Sequence, residues 1–293
     1  MWRWAAPCSA VRRHAHGHLQ SHLRRAATPV TGATPPLVLA LDLDETLLRP
    51  KIPAVAEHRR RRLALVDFEV NLEINGGTLC QVSLRPGLTE FFQWVRGRRT
   101  EGVLSGPWVF AQGASVYVEA VMQKLDPTGD IFEDRVFTKE SCTTLKTPGY
   151  VLKDLTSLAA AASKEGTRCQ VSQVILVDNN AVSAILHPRN TLLVRDWRGD
   201  GRADAELRRI TTSLDSLITD MRHGDHGLEP GDYAGLLAQR TPRLLAFREE
   251  LEALHKFLDT EPSRGQLKQR LTRAWDLSCT SKQKLLGLAE GEH

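Results

Sequence analysis

Two short apolar runs in this chain each close on an aspartate: LVLAL is followed by Asp42, and VILV by Asp178. Uninterrupted runs of this length mark strands buried on both faces, as in parallel sheets covered by helices. The closing carboxylates restrict the fold further. In open α/β sheets ligands bind outside the carboxyl ends of the strands, so both aspartates belong at one rim. After Asp42 the chain continues Leu43-Asp44, and residues two apart on an extended chain share a face. Taken alone, Asp-x-Asp also fits a strand that stops at its first charge, with Asp44 capping a turn. With Asp178 added, three carboxylates converge, and like charges so close need a cation or a proton to relieve them. A hard divalent cation is the fitting partner. Mg²⁺ takes oxygen ligands and is often completed by a substrate phosphate, and Lys153 would offset the remaining charge of a phosphate ester.

The rest of the chain supplies the other layers. DFEVNLEINGGTLCQVSL (67–84) alternates apolar and polar residues around Asn75-Gly76-Gly77, the pattern of a β-hairpin. Pro86 and Gly87 precede a helix with Leu88, Phe91, Phe92 and Val95 on its apolar face. PWVFAQ (107–112) predicts a strand, SVYVEAVMQKLD (115–126) a helix, GYVLKDLTSLAAAAS (149–163) another helix, and TLLVRDW (191–197) a further strand. Residues 49–63 read as a polar, basic loop. Strands alternating with helices predict a parallel α/β sheet.

Composition narrows the function classes. A net charge of +4 gives no whole-protein basic field, so nucleic acid is not an expected partner. Five scattered cysteines without CxxC spacing argue against a disulfide framework and a zinc site. No run approaches the ~20 apolar residues of a transmembrane helix. Residues 1–36 differ from the rest: they hold Arg3, Arg12, Arg13, Arg24 and Arg25, four histidines, and no Asp, Glu or Lys. That is the profile of a mitochondrial presequence, a disordered basic tail being the alternative. The expected location is the mitochondrial matrix or the inner membrane's surface.

These segments resemble the haloacid-dehalogenase superfamily of aspartate-nucleophile phosphatases. More narrowly, they resemble its C-terminal-domain phosphatase branch, the NLI-interacting-factor (FCP/SCP-like) domain. DLDETL (42–47) is similar to that branch's first motif, and 67–92 to its inserted small sheet and following helix. ESC (140–142), YVLKDL (150–155), VDNN (177–180) and HPRN (187–190) follow in order. The resemblance implies a Rossmann-like parallel sheet with a small β-hairpin insert. It makes Asp42 the nucleophile and Asp44 the general acid and base. Asp42 and Asp178 would hold Mg²⁺, assisted by Asn179 and the Asp44 backbone carbonyl, and Lys153 would stabilise the transition state. Thr46, grouped with the substrate-binding residues, would brace the loop after the strand. The implied substrate is a phosphoserine or phosphothreonine protein. A second implication comes from the related presequence receptor of the mitochondrial inner-membrane translocase, which uses the domain as a binding module; import subunits or presequences would then be the partners.

One motif departs from the pattern. The family ends a strand on a Ser or Thr that binds the phosphoryl group. Counting forward from Arg85-Pro86-Gly87 reaches Ser105; counting back from 115–126 reaches Ala111, the better fit to a strand end. With Ala111 in place a phosphate donor is missing, for which Gln112 or Ser105 would substitute. The run His58–Arg62 reads as a solvated loop or as a patch for an acidic or phosphorylated protein. Cys142 reads as core packing and His187 as a structural turn residue. The expected organisation is a basic segment over 1–36, a phosphatase domain over 37–221 and a helical extension over 222–293. In that extension Leu244, Phe247, Leu251, Leu254 and Leu258 form an apolar stripe that packs on the domain or on a partner.

Overall fold

The computed structural model describes residues 34–51, 65–73, 77–144, 151–166, 168–199, 203–258, 260 and 262–286. All but the last three residues of the basic segment 1–36, the His58–Arg62 run and the Asn75-Gly76 turn therefore lie outside the described residues.

The first apolar run, β1 (Leu37–Leu41), is the centre of a five-stranded sheet. Its neighbours are β5 (Leu104–Phe110) on one side and β9 (Val174–Asp178) on the other. Outside these lie β6 (Val136–Phe137) and β10 (Thr191–Leu193), and every pairing in the sheet is parallel. Alternate side chains of the central strands serve opposite faces, as a pleated strand requires. Leu37, Leu39, Leu41, Ile175 and Val177 meet α1 (Leu88–Thr100), α4 (Glu206–His223) and α5 (Tyr233–Arg240) through Phe91, Val95, Ile210, Leu214 and Tyr233. Val38, Ala40, Val174 and Leu176 face α3 (Leu155–Ser163). Each larger side chain so buried contributes roughly 1.5–3 kcal/mol. The doubly covered parallel sheet is the expected architecture.

Several expected boundaries move. β5 begins at Leu104 and so includes the segment before PWVFAQ. Opposite Val38 and Ala40, its partners step from Ser105 to Trp108, one residue more than the register allows. Gly106-Pro107 forms this bulge, the kind of place where proline is tolerated inside a sheet. The loop read over 49–63 gives up its start to β2 (Leu48–Lys51). That strand joins β3 (Phe68–Leu72) and β4 (Thr78–Leu84) in an antiparallel sheet of order β2-β4-β3. Leu48, Val70, Leu72, Cys80 and Val82 pack it onto Val121 of α2 (Ser115–Leu125).

The helix read over 149–163 begins only at Leu155, because Asp154 caps it by accepting from Thr156 N at 2.9 Å; aspartate is a preferred N-cap. Val151–Leu152 instead form β8, paired with β7 (Thr143–Thr144). Lys153 thus sits on the short link between β8 and α3. Beyond residue 224 come α5, which the sequence reading does not foresee, then α6 (Leu245–Leu258) and α7 (Arg264–Leu286). Phe247, Leu251, Leu254, Leu267 and Leu271 pack on Leu152, Ala181, Ala184 and Ile185. The apolar stripe therefore rests against the segments that carry Lys153 and Asp178. Among the described residues no helix is long and apolar enough to cross a membrane.

Candidate active site

Asp42 follows β1 directly, its N–H donating to Val177 O at 3.0 Å, and Asp178 is the last residue of β9. Between their carboxylates lies Lys153. Its Nζ donates to Asp42 Oδ1 and to Asp178 Oδ2, each at 2.6 Å, and its side chain is fully buried. Asp178 Oδ1 accepts from Asn180 N at 2.6 Å. Two further contacts hold the lysine's link in place. Asp154, the cap of α3, also meets His187 Nε2 at 2.9 Å, so His187 has the structural role expected of it. Gln112 Nε2 donates to Val151 O at 2.8 Å and ties the end of β5 to β8.

The turn after β1 is equally constrained. Thr46 Oγ1 lies 2.8 Å from Asp42 Oδ2 and 3.2 Å from Asn179 Oδ1, and accepts from Asn179 N at 3.1 Å. A hydroxyl has one proton to donate, so it serves one of the two oxygens at a time. The Thr46 carbonyl accepts from Arg85 Nη1 at 2.9 Å, and Arg85 forks onto Asp204 at 2.9 and 3.0 Å. Arg85 is itself 1% exposed, so this fork clamps the turn from beneath. Glu45 takes a left-handed φ of 65°, a conformation that costs a non-glycine residue energy and persists only where surroundings enforce it.

Charge at the rim is unbalanced. Burial works against the Lys153 ammonium, but Asp178 and Asp42 outweigh it and hold its pKa above the usual lysine value. One lysine cannot neutralise two carboxylates. Burial pushes the Asp178 carboxyl up to about 6, with Lys153 opposing the rise and Asp42 adding to it. Asp44, half-buried at the rim, is also pushed up to about 6 by burial; a hydrogen bond from Tyr117 opposes this and the Asp42 charge adds to it. An oxygen donor set with excess negative charge fits a hard divalent cation. Among the described residues no group of three or more His, Cys, Asp or Glu is gathered to hold a metal. The Asn179 amide oxygen or a backbone carbonyl would have to complete the set.

The expected residues divide accordingly. Asp42, Lys153, Asp178 and Asn179 are brought together. The Asp44 carboxylate turns to Tyr117 Oη at 2.5 Å, so Asp44 could join a metal set through its carbonyl and not through its side chain. Thr46 is fully buried and braces Asp42 and Asn179; it is not placed to touch substrate. Ser105 is also corrected. It pairs with Val38 near the start of β1, whereas Val109 pairs with Leu41. At about 3.3 Å per residue, Ser105 lies at the far end of the sheet from the aspartates. Ala111 follows the end of β5, level with the Asp42 turn, and so occupies the place of the missing hydroxyl. Cys142 sits beside it, its thiol 3.8 Å from Ala111 O, and burial raises its pKa, which suits packing better than nucleophilic work. Sequence reasoning missed Tyr117, Arg85 and Asp204.

The family model of the NLI interacting factor-like phosphatases matches residues 37–224. The human CTD small phosphatase-like protein is 34% identical over 181 residues, which are 61% of this chain and 55% of that protein. Phosphatase Herzog of Drosophila melanogaster is 32% identical over 61% of this chain and 43% of its own length. The match thus spans about half the length of these relatives. The structure of Fcp1, an essential RNA polymerase II CTD phosphatase, overlays with a TM-score of 0.42 and 22% identity, covering 76% of this chain and 63% of that one. A likeness that loose carries no weight for the chemistry of this chain.

Proposed function

The chain belongs to the NLI interacting factor-like phosphatases, and we propose that it hydrolyses phosphoserine or phosphothreonine in proteins with Asp42 as the nucleophile. The observation that carries this reading is Asp42 at the carboxyl end of the central strand, 2.6 Å from a buried lysine shared with Asp178. An Asp42 oxygen attacks phosphorus as the bond to the seryl or threonyl oxygen breaks, and Asp44 gives that oxygen its proton. Asp44 then takes a proton from water, whose oxygen attacks the aspartyl-phosphate and releases inorganic phosphate and free Asp42. Splitting one displacement into two easier steps is the gain of covalent catalysis. Lys153 supports the charge on the phosphoryl oxygens. Asp42, Asp178, Asn179 and the Asp44 carbonyl are the oxygens that would hold Mg²⁺, which when bound screens the phosphoryl group from the approaching carboxylate.

Hydrolysis of an aryl phosphate and of a phosphoserine peptide by the full chain tests the reading. Chelation should abolish turnover of both, and Mg²⁺ should restore it. Turnover indifferent to chelation would remove the metal from the scheme.

Ala111 leads to a second expectation. Losing one transition-state donor costs about 10²–10³ in rate, so Ala111→Ser should raise kcat/KM about tenfold or more. Ser105→Ala should change nothing, since Ser105 is remote from the rim. A rate that falls in Ser105→Ala would show that the phosphate group is held elsewhere.

Ala111 also favours one other reading, a domain that binds presequences for the mitochondrial import translocase. A folded chain without turnover that captures basic amphipathic peptides would select it. Under either reading the proposed location is the mitochondrion, in the matrix or at the inner membrane, and the support for it is the composition of residues 1–36.

A further inference from the structure

Tyr117 is a rim residue to which the two-step displacement gives no task. It lies in the first turn of α2, half-buried between the central core and the small sheet. Its hydroxyl donates to Asp44 Oδ1 at 2.5 Å. No other described side chain hydrogen-bonds the Asp44 carboxylate, so its second oxygen is left for another partner. The ring reaches this position only because residue 113 is glycine. A Cβ there would stand 2.8 Å from Tyr117 Cδ1, closer than real contacts allow, and a tight 3.1 Å from its Cε1 and 3.2 Å from Val118 Cγ2. Gly113 is itself pinned, its carbonyl accepting from Lys139 N at 2.9 Å. Ring, glycine and carboxylate therefore form one fitted unit.

We propose that Tyr117 is a positioning residue that fixes the Asp44 carboxyl so that its free oxygen meets the leaving oxygen of the substrate. The inference rests on the phosphatase reading and deepens it. A carboxyl on a free torsion must be oriented in each encounter; one held by a short bond on a packed ring is oriented in advance, and misplacement of a reacting group can cost about 10² in rate. The small sheet gains a role as well. By packing against Tyr117, it makes the aim of the acid depend on a surface outside the parallel core.

The test exploits leaving-group chemistry. A seryl oxygen leaves poorly without a proton, whereas 2,4-dinitrophenolate leaves well without one, so general-acid help matters for the first and little for the second. Full-length wild type, Tyr117→Phe, Gly113→Ala and Asp44→Asn are compared on a phosphoserine peptide and on 2,4-dinitrophenyl phosphate. Tyr117→Phe should lose about 10–100-fold in kcat/KM, which reads transfer to Asp42 and not the later hydrolysis, on the peptide and only a few-fold on the aryl ester. Gly113→Ala, which displaces the ring while keeping the hydroxyl, should show the same asymmetry, and Asp44→Asn should show it more strongly. A merely structural role would lower both substrates equally. Equal losses in Tyr117→Phe, or none, while Asp44→Asn keeps the asymmetry, would overturn the positioning role and leave the phosphatase reading intact. No turnover of either ester by wild type would overturn both.

Discussion

Asp42→Asn should lower phosphatase turnover by at least about four orders of magnitude, the scale seen when a covalent nucleophile is removed, while leaving the fold intact. An amide of the same shape cannot attack phosphorus, so no aspartyl-phosphate forms and both half-reactions stop. Stability should behave differently. In the native protein Lys153 serves two carboxylates at 2.6 Å each, and one negative charge remains uncompensated in a buried setting. Asparagine removes that surplus and leaves Lys153 paired with Asp178, so the melting temperature should hold or rise. Turnover, melting temperature and trapping of a hydroxylamine-labile phosphoprotein check the three parts. A variant within tenfold of wild type would show that Asp42 is not the nucleophile. A variant that unfolds would show that the buried charge serves the fold first.

The aspartates of this site are legible in the sequence because the two things that place them are local. An unbroken apolar run is a buried strand, and a strand that ends in charge ends at a rim. Lys153 is legible as chemistry but not as geometry. Helical spacing over 149–163 hides the fact that Asp154 starts a new helix and leaves the lysine on a link held by His187 and Gln112. Tyr117 is hidden for another reason. An aromatic in the first turn of an amphipathic helix reads as core, and its ring is indeed packed; only the long-range meeting with Asp44, 73 residues earlier in the chain, gives its hydroxyl a partner. Arg85 and Asp204 are 119 residues apart, and nothing in either segment announces the other. β2 escapes notice because Leu48–Lys51 holds a proline and two basic residues and becomes a strand through its pairing with β4. Ser105 and Ala111 are the instructive pair. The two counts differ by six residues, of which the Gly106-Pro107 bulge accounts for one, and only register against β1 decides which position reaches the rim.

Lys153→Met should be the more damaging counterpart, lowering stability and rate together. The substitution keeps a linear side chain of similar reach but strands Asp42 and Asp178 without their shared cation. Removing one partner of a buried ion pair costs about 3–5 kcal/mol, because the remaining charge stays desolvated. Turnover should fall by about 10²–10³ or more, since the phosphoryl oxygens lose a preorganised positive charge. Lys153→Arg should not rescue it. A planar fork cannot take the place of a compact ammonium held at 2.6 Å from two carboxylates, next to Leu152, which packs with Ala181 and Ile185. The double variant Lys153→Met with Asp178→Asn separates the two losses. Deleting one of the two stranded carboxylates should recover part of the stability measured by denaturant unfolding, yet none of the turnover. If turnover returned with stability, the lysine would be only a structural tie between the two strands, and the transition-state charge would have to be met by some other group at the rim.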